Sequence, residues 1–270
     1  MVKIMGIINL TPDSFFEKSR YNYSILDSKA DIVDVGAVST RPGAEDVSLE
    51  EEWRRLEPFL LDCNLSLNAE GKNEVRSQTL NAEGKNEVQN RAPKVLSIDT
   101  TRAEIVRRAY EIVGPFIVND ISAGEDDEQM LECVGGLALK YIAMHKRGNP
   151  RTMDSLSNED VPIMQQLEEY FLDFEKRARK AGIKDWILDP GLGFAKTKEQ
   201  NIEIIEKLPL LKKFGHPILI GAADKRFTEG NTEYYHLLAL RGGADILRVH
   251  NVEAAYLTYA QYQSENKDHK

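Results

Sequence analysis

The sequence predicts an α/β protein with the (β/α)8 fold of a TIM barrel, and three observations support this. The 270-residue chain contains eight short runs rich in β-branched and other apolar residues. Continuous apolar runs bounded by turn residues are typical of buried parallel strands. Stretches with helical spacing separate the runs, and eight β-then-α units in about 250 residues is the usual size of this barrel. Polar or charged residues also lie at or just after most of the run ends, as expected of strands that meet at one mouth.

The elements follow one another regularly along the chain. In order, the expected strands are VKIMGIIN, ADIVDVG, KVLSIDT, FIVNDIS, KYIAMHK, WILDPG, PILIGA and ADILRVHN. Apolar residues three and four positions apart predict helices over Ser48–Asp62, Thr101–Val113, Glu128–Gly136, Ser157–Ala181 and Thr197–Phe214. The first crossover is short and leaves room for about two helical turns near Tyr23–Lys29.

One barrel uses nearly the whole chain, which predicts a single domain over residues 1–270. Within it, the sequence LNAEGKNEV occurs at Leu67–Val75 and again at Leu80–Val88. This polar repeat is too short for a solenoid unit and predicts a duplicated loop insertion at about residues 64–92. We expect it at the N-terminal face of the barrel, away from the site.

Composition excludes several classes of function. The net charge of −9 argues against general nucleic-acid binding. No apolar stretch approaches the roughly 20 residues that a membrane span needs, and the chain begins in a strand without a basic leader. Cys63 and Cys133 lack metal-site or CxxC spacing, as expected of reduced thiols in a cytoplasmic protein.

The candidate site lies at the ends of the strands. In this barrel the C-terminal ends of parallel strands converge on one mouth, where the chemistry is placed. The residues at or just after the predicted ends are Asn9, Asp99, Asn119, His145, Asp189, Lys225, Arg248 and His250.

Three of these side chains fit the edge of a planar heterocycle. Asp99 and Asp189 supply carboxylates and Asn119 a carboxamide, which together match a row of ring N–H groups. Asp99 alone could also be a helix N-cap, but the three together favour a ligand. Phe194 is available to stack on the ring.

Basic residues lie at the last two strand ends. Lys225, Arg248 and His250 lie where this fold usually binds phosphate. With diphosphate oxygens, Asn9 could complete a Mg²⁺ shell, because Mg²⁺ keeps waters and takes few protein ligands.

Two loops add further polar groups. The loop LTPDSF contains Asp13, and the loop STRPG contains Thr40 and Arg41. Hydroxyls, backbone N–H groups and a guanidinium suit phosphate oxygens, although each loop alone also fits an ordinary turn.

Seven stretches in order give the chain a family resemblance: MGIINLTPDSF, GAVSTRPGA, SIDT, VNDISAG, MHKRGNP, ILDPGLGF and ADILRVH. The chain resembles the dihydropteroate synthase family of pterin-binding enzymes from Gly6 to about Ala255. The resemblance implies a transferase that condenses 6-hydroxymethyl-7,8-dihydropterin pyrophosphate with p-aminobenzoate, releasing 7,8-dihydropteroate and pyrophosphate. It also implies Mg²⁺ and a homodimer.

The resemblance assigns roles by position. It implies that the pterin is bound by Asp99, Asn119, Asp189, Phe194 and Lys225, and the pyrophosphate by Asn9, Arg248 and His250, with Asn9 facing the metal. It implies that p-aminobenzoate is bound by Thr40, Phe194 and Arg226. The catalytic set implied is Asp13, Thr40, Arg41 and Lys225, with the first three on loops that close over the site.

The chain departs from the family pattern at several positions. After strand seven the family has Gly-x-Ser-Arg-Lys-Ser, where this chain has Asp224 at the Arg position and Arg226 at the last Ser. Ala195 replaces a glycine and Lys146 a methionine. Two alternatives therefore stay open: a pterin-binding barrel with reduced or lost synthase activity, and a methyltetrahydrofolate-binding methyltransferase domain.

Overall fold

The fold is a barrel of eight parallel strands, as predicted. The computed structural model describes residues 1–11, 24–39, 46–62, 64–67, 73–76, 79–80, 86–87, 94–148, 162–223 and 225–267. The barrel strands are β1 (Lys3–Asn9), β2 (Ile32–Gly36), β3 (Lys94–Asp99), β4 (Ile117–Asp120), β5 (Lys140–Met144), β6 (Trp186–Asp189), β7 (Leu219–Ile220) and β8 (Ile246–Val249).

The strands pair in the order β6–β5–β4–β3–β2–β1–β8–β7, all parallel. Between β6 and β7 the ring is held by a single bridge, Leu188 to Ile218, with a 2.9 Å hydrogen bond from the Leu188 N–H to the Pro217 carbonyl. The barrel is therefore nearly closed, and this seam is its thinnest.

Helices surround the strands. They are α1 (Ser24–Asp27), α2 (Leu49–Asp62), α3 (Ala103–Val113), α4 (Met130–Gly136), α5 (Ile163–Lys180), α6 (Lys198–Glu206), α7 (Thr232–Arg241) and α8 (Val252–Lys267). Short 3₁₀ helices cover Leu208–Phe214 and Arg226–Thr228. Within the described residues, no helix combines the length and apolarity that crossing a membrane requires.

Three helices differ from the sequence prediction. The helix expected over Ser157–Ala181 begins at Ile163, directly after Pro162, and ends at Lys180; residues 157–161 lie outside the described residues. The single helix expected over Thr197–Phe214 is divided: α6 ends at Glu206 and a 3₁₀ helix follows. Pro209 explains the break, because proline has no N–H to donate and its ring clashes with the preceding turn. Within residues 24–31, the described part of the first crossover, there is one helical turn, α1, where the sequence predicts about two near Tyr23–Lys29.

The described parts of the insertion form short antiparallel strands where the sequence predicts a loop. Asn64–Leu67 pairs with Asn73–Arg76, and Thr79–Leu80 pairs with Asn86–Glu87. The strand Asn73–Arg76 also joins the first residues of β3, with Glu74 opposite Val95 and Val75 opposite Lys94. The insertion therefore attaches to β3 at the N-terminal end of the barrel.

The barrel interior is built in layers. One apolar layer takes a residue from every strand: Met5, Ile32, Val95, Ile117, Ile142, Ile187, Leu219 and Ile246. Strand side chains alternate, so the residue two positions later points to the same side, closer to the mouth. Four of these later residues are Asp34, Asn119, Asp189 and Arg248. On these strands the interior side chains thus change from apolar to polar or charged within two residues.

Candidate active site

An arginine and two aspartates form the centre of the mouth. The Arg248 Nε donates to Asp34 Oδ2 at 2.7 Å, and its Nη2 donates to Asp99 Oδ2 at 2.7 Å. The Asp34 side chain is fully buried, and that of Arg248 is 25% exposed. Because an unpaired buried charge is costly, each of these groups depends on the others.

Asp34 connects four strands. Its Oδ1 accepts from Ser97 Oγ at 2.7 Å, and its Oδ2 accepts from Asn119 Nδ2 at 3.1 Å in addition to Arg248. The pattern of strand ends does not identify Asp34, because this residue lies inside β2 rather than at its end. The signal was available: Asp34 is two residues from both Ile32 and Gly36 and so shares their side of the strand.

Burial shifts the acid strength of the carboxyl groups. It raises the pKa of Asp99 to about 7, while the Arg248 charge acts to lower it and nearby Asp34 acts to raise it. Burial also raises the pKa of Asp189, against the lowering effect of the Gly191 N–H, which donates to Asp189 Oδ1 at 2.8 Å. Such groups can accept from ring N–H donors when ionised, or donate when protonated.

The loop after β6 brings an aromatic ring to a lysine. Lys225 Nζ lies 4.4 Å from the centroid of the Phe194 ring, within cation–π distance. Gly193 allows this approach, since a Cβ there would lie 3.0 Å from Lys225 Cδ. The mouth therefore offers an aromatic face beside a cation.

Other sequence-predicted residues lie around this centre. Asn9 ends β1, and His250 directly follows the neighbouring strand β8. Arg226 is exposed and opens a 3₁₀ turn. The predicted residues Asp13, Thr40 and Arg41 lie outside the described residues, as does Asp224.

His145, at the end of β5, is buried against the edge of the Tyr170 ring. Burial holds the pKa of its imidazole well below the ordinary value. Next to it, the buried Lys146 donates to both carboxylate oxygens of Asp126 at 2.6 Å. The lysine that departs from the family pattern thus has a partner that ties the loops after β4 and β5.

Comparison with known proteins adds independent evidence. A family model described as "Pterin binding enzyme" matches residues 5–69 and 85–250. The dihydropteroate synthase of Synechocystis is 35% identical over 274 residues, covering 93% of this chain and 86% of the relative. Against three plant folate synthesis bifunctional proteins, the chain spans 47 to 54% of the relative's length.

Solved structures agree. The dihydropteroate synthase of Xanthomonas albilineans with 4-aminobenzoic acid has a TM-score of 0.78 at 27% identity, covering 98% of this chain and 93% of that chain. The enzyme of Yersinia pestis with a sulfonamide drug complex has a TM-score of 0.80 at 25% identity, covering 98% and 94%. The chain therefore belongs to the pterin-binding enzymes and, within them, to the dihydropteroate synthases, the transferases of folate synthesis.

Proposed function

We propose that the chain condenses 6-hydroxymethyl-7,8-dihydropterin pyrophosphate with p-aminobenzoate, giving 7,8-dihydropteroate and pyrophosphate. The observation that carries this is the mouth itself: buried carboxyls and a carboxamide stand beside Arg248 and the Lys225–Phe194 pair. This set is complementary to a planar heterocycle that carries a diphosphate.

The pterin ring lies against the acidic side. Asp99, Asn119 and Asp189 bond its edge, with Lys225 and Phe194 beside it. In this site the buried carboxyls are partnered by Arg248 and by the Gly191 N–H. They are therefore already oriented, and binding does not require them to be ordered.

The pyrophosphate lies against the basic side, with Asn9, Arg248 and His250. In the reaction the bond between the pterin methylene carbon and the diphosphate oxygen breaks, and the electron pair leaves with pyrophosphate. The amine nitrogen of p-aminobenzoate then bonds to the methylene carbon and loses a proton to solvent. Cations that neutralise the leaving group lower this barrier, and no strong general base is required.

The residues present fit a magnesium ion that arrives with the substrate. Among the described residues, no three His, Cys, Asp or Glu side chains gather into a metal site. Asn9 is a partly exposed carboxamide at the end of β1 and would supply one oxygen ligand. The ion would neutralise charge on the leaving diphosphate.

We assign the binding of p-aminobenzoate to Thr40, Phe194 and Arg226. In this proposal Asp13, Thr40 and Arg41 belong to the catalytic set, on loops that close over both substrates. The relative of known structure that binds 4-aminobenzoic acid supports this substrate. Exposed Arg226 offers a guanidinium for the carboxylate.

We also propose a homodimer working in the cytoplasm. Exposed apolar side chains on α7 and α8, Tyr234 and Leu257, offer a surface for a symmetric contact. Cys133 is a buried free thiol, as expected in a reducing compartment. Light scattering on a size-exclusion column gives the mass, and a mass of one chain rejects the dimer.

The test is pyrophosphate release by purified protein given both substrates and Mg²⁺, alongside Asp189→Asn. We expect turnover that requires both substrates and falls about 100-fold in the variant, because one buried acceptor oxygen is replaced by an NH2 group that only donates. Asp173→Asn, which changes an exposed aspartate paired with Arg177, is the matched control. Pterin binding without turnover would favour the second candidate, a pterin-binding barrel disabled near Asp224, and Asp224→Arg should then restore activity.

A further inference from the structure

The loop after β6 is fastened by one buried lysine. Lys196 is 7% exposed, and its Nζ donates to three backbone carbonyls, those of His145 at 3.2 Å, Gly191 at 2.8 Å and Phe194 at 3.1 Å. An ammonium group has three N–H donors, which matches these three acceptors. The lysine therefore joins the start and middle of its own loop to the end of β5.

The loop is packed too closely to shift without consequence. Gly191 has a φ of +66°, and a Cβ there would lie 2.0 Å from the His145 carbonyl oxygen that Lys196 also contacts. On the other side, Asn201 of α6 accepts from the Gly193 N–H at 2.7 Å. Phe194 is thus held between two anchors, and the Lys196 anchor bonds its own carbonyl.

Phe194 is the residue of this loop that faces the proposed substrate site, since its ring centroid lies 4.4 Å from Lys225 Nζ. A displacement of the loop would change the distance between Phe194 and Lys225 more than the position of Asp189, because the pairing of β5 with β6 holds Asp189 in place. A loss of the anchor should therefore affect the substrate that stacks on Phe194 most strongly.

We infer that Lys196 is a positioning residue for the binding of p-aminobenzoate. The ammonium group of Lys196 holds the loop after β6 so that the Phe194 ring lies beside Lys225. The inference rests on the proposed function for its substrate, and on the geometry of the loop for its mechanism. Lys196 contacts no substrate itself and acts through the backbone of Phe194.

The charge state of Lys196 gives the inference a distinctive signature. Burial lowers the pKa of Lys196 to about 7; Asp189 acts to raise it, and Arg147 and Lys225 act to lower it. His145 also faces the ammonium, and burial keeps this imidazole neutral. A neutral amine has only two N–H donors, so one carbonyl loses its donor and the loop loosens as the pH rises above about 7.

The experiment compares Lys196→Met, Lys196→Arg and the parent. Lys198→Met is the matched control, because Lys198 lies two residues away, is exposed, and pairs with Glu229 at 2.6 Å. Steady-state kcat and KM are measured for both substrates from about pH 6 to about pH 9. Amide hydrogen exchange of residues 191–195 is followed by mass spectrometry.

We expect Lys196→Met to raise the KM for p-aminobenzoate by about 10-fold, with a smaller change for the pterin substrate. Exchange should accelerate in residues 191–195, while Lys198→Met should match the parent in every readout. In the parent, the KM for p-aminobenzoate should rise as the pH passes about 7. Lys196→Arg should remove that rise, because arginine stays charged.

Equal effects on both KM values, or unchanged exchange in Lys196→Met, would overturn the inference. If Lys196→Met does not fold, the pH profiles of the parent and Lys196→Arg decide, and identical profiles count against it. A parent without turnover refutes the proposed function alone, since hydrogen exchange still tests whether Lys196 holds the loop.

Discussion

Two layers of the barrel interior lie two residues apart along the strands and differ in the chemistry of their side chains. The lower layer contains one apolar residue from each of the eight strands, among them Ile32, Ile187 and Ile246. The upper layer places Asp34, Asp189 and Arg248 on the same strands, two residues nearer the mouth. Asp34 and Asp189 are buried like most residues of the lower layer, whereas the Arg248 side chain is 25% exposed, and only the upper layer carries charge.

The two layers should tolerate different substitutions. Apolar packing is non-directional, so the lower layer should accept a substitution that nearly conserves volume. The upper layer depends on specific pairs, such as the two carboxylates bonded by Arg248, and removing one partner leaves a buried charge incompletely compensated. Stability at the base and function at the mouth are therefore separable by mutation.

The largest loss of activity is expected from Asp34→Asn, which keeps the shape of the side chain and removes its charge. We expect the free energy of unfolding, measured by urea denaturation, to fall by about 3 kcal/mol because Arg248 loses a buried partner. The kcat/KM should fall about 100-fold as the guanidinium is misplaced. The exposed Asp173→Asn should change stability by less than about 0.5 kcal/mol. A loss as small as that control's would mean that Asp99 alone suffices to hold Arg248.

The second prediction concerns pH. Burial raises the pKa of Asp99 from 3.8 to about 7, so the folded chain holds this proton more tightly than the unfolded chain. The resulting stabilisation is complete below about pH 3.8 and is lost as the pH rises through about 7. Relative to Asp99→Asn, the parent should lose at most about 1.4 kcal/mol per pH unit across this range. Parallel urea midpoints for the two proteins from about pH 4 to about pH 7.5 would contradict the shift.

The third prediction probes the lower layer. Ile187→Val removes one methylene group from a residue that is 1% exposed. We expect a loss of about 1 kcal/mol in thermal or urea unfolding, with both KM values unchanged. A change in KM would show that the two layers are not separable.

The smallest effect is expected at Ala195, a mouth residue with a φ of +50°. A left-handed alanine costs about 1–2 kcal/mol, whereas glycine there costs about 0.5–1 kcal/mol in entropy. Ala195→Gly should therefore stabilise the chain by about 0.5 kcal/mol in the urea assay, with kcat/KM unaltered. A destabilised variant would show that the alanine is unstrained.

The sequence predicted most of this architecture because continuous β-branched runs are a strong signal for buried parallel strands. Each of the eight strands lies within its predicted run. The prediction of one helix over Thr197–Phe214 was only partly right. The apolar spacing continues through Pro209, and spacing alone does not show that proline lacks an N–H donor.

The site was harder to predict than the fold. Strand ends pointed to Asp99, Asn119, Asp189 and Arg248, and the structure brings these residues to one mouth. Asp34 was not predicted as a site residue, because a charged residue in the middle of a strand is not followed by a turn, and its hydrogen-bond partners are distant in sequence. Its bond to Arg248 spans 214 residues, a separation that no local pattern can reveal.

The insertion also has a consequence for how the chain behaves among other chains. β2 covers one side of β3 from Val95 onward, whereas β4 reaches the other side only at Ser97. Lys94 and Val95 would present unpaired backbone groups there, and the inserted strand takes that place. Because uncovered strand edges can pair with strands of other chains, we expect a chain without the insertion to aggregate more readily during refolding.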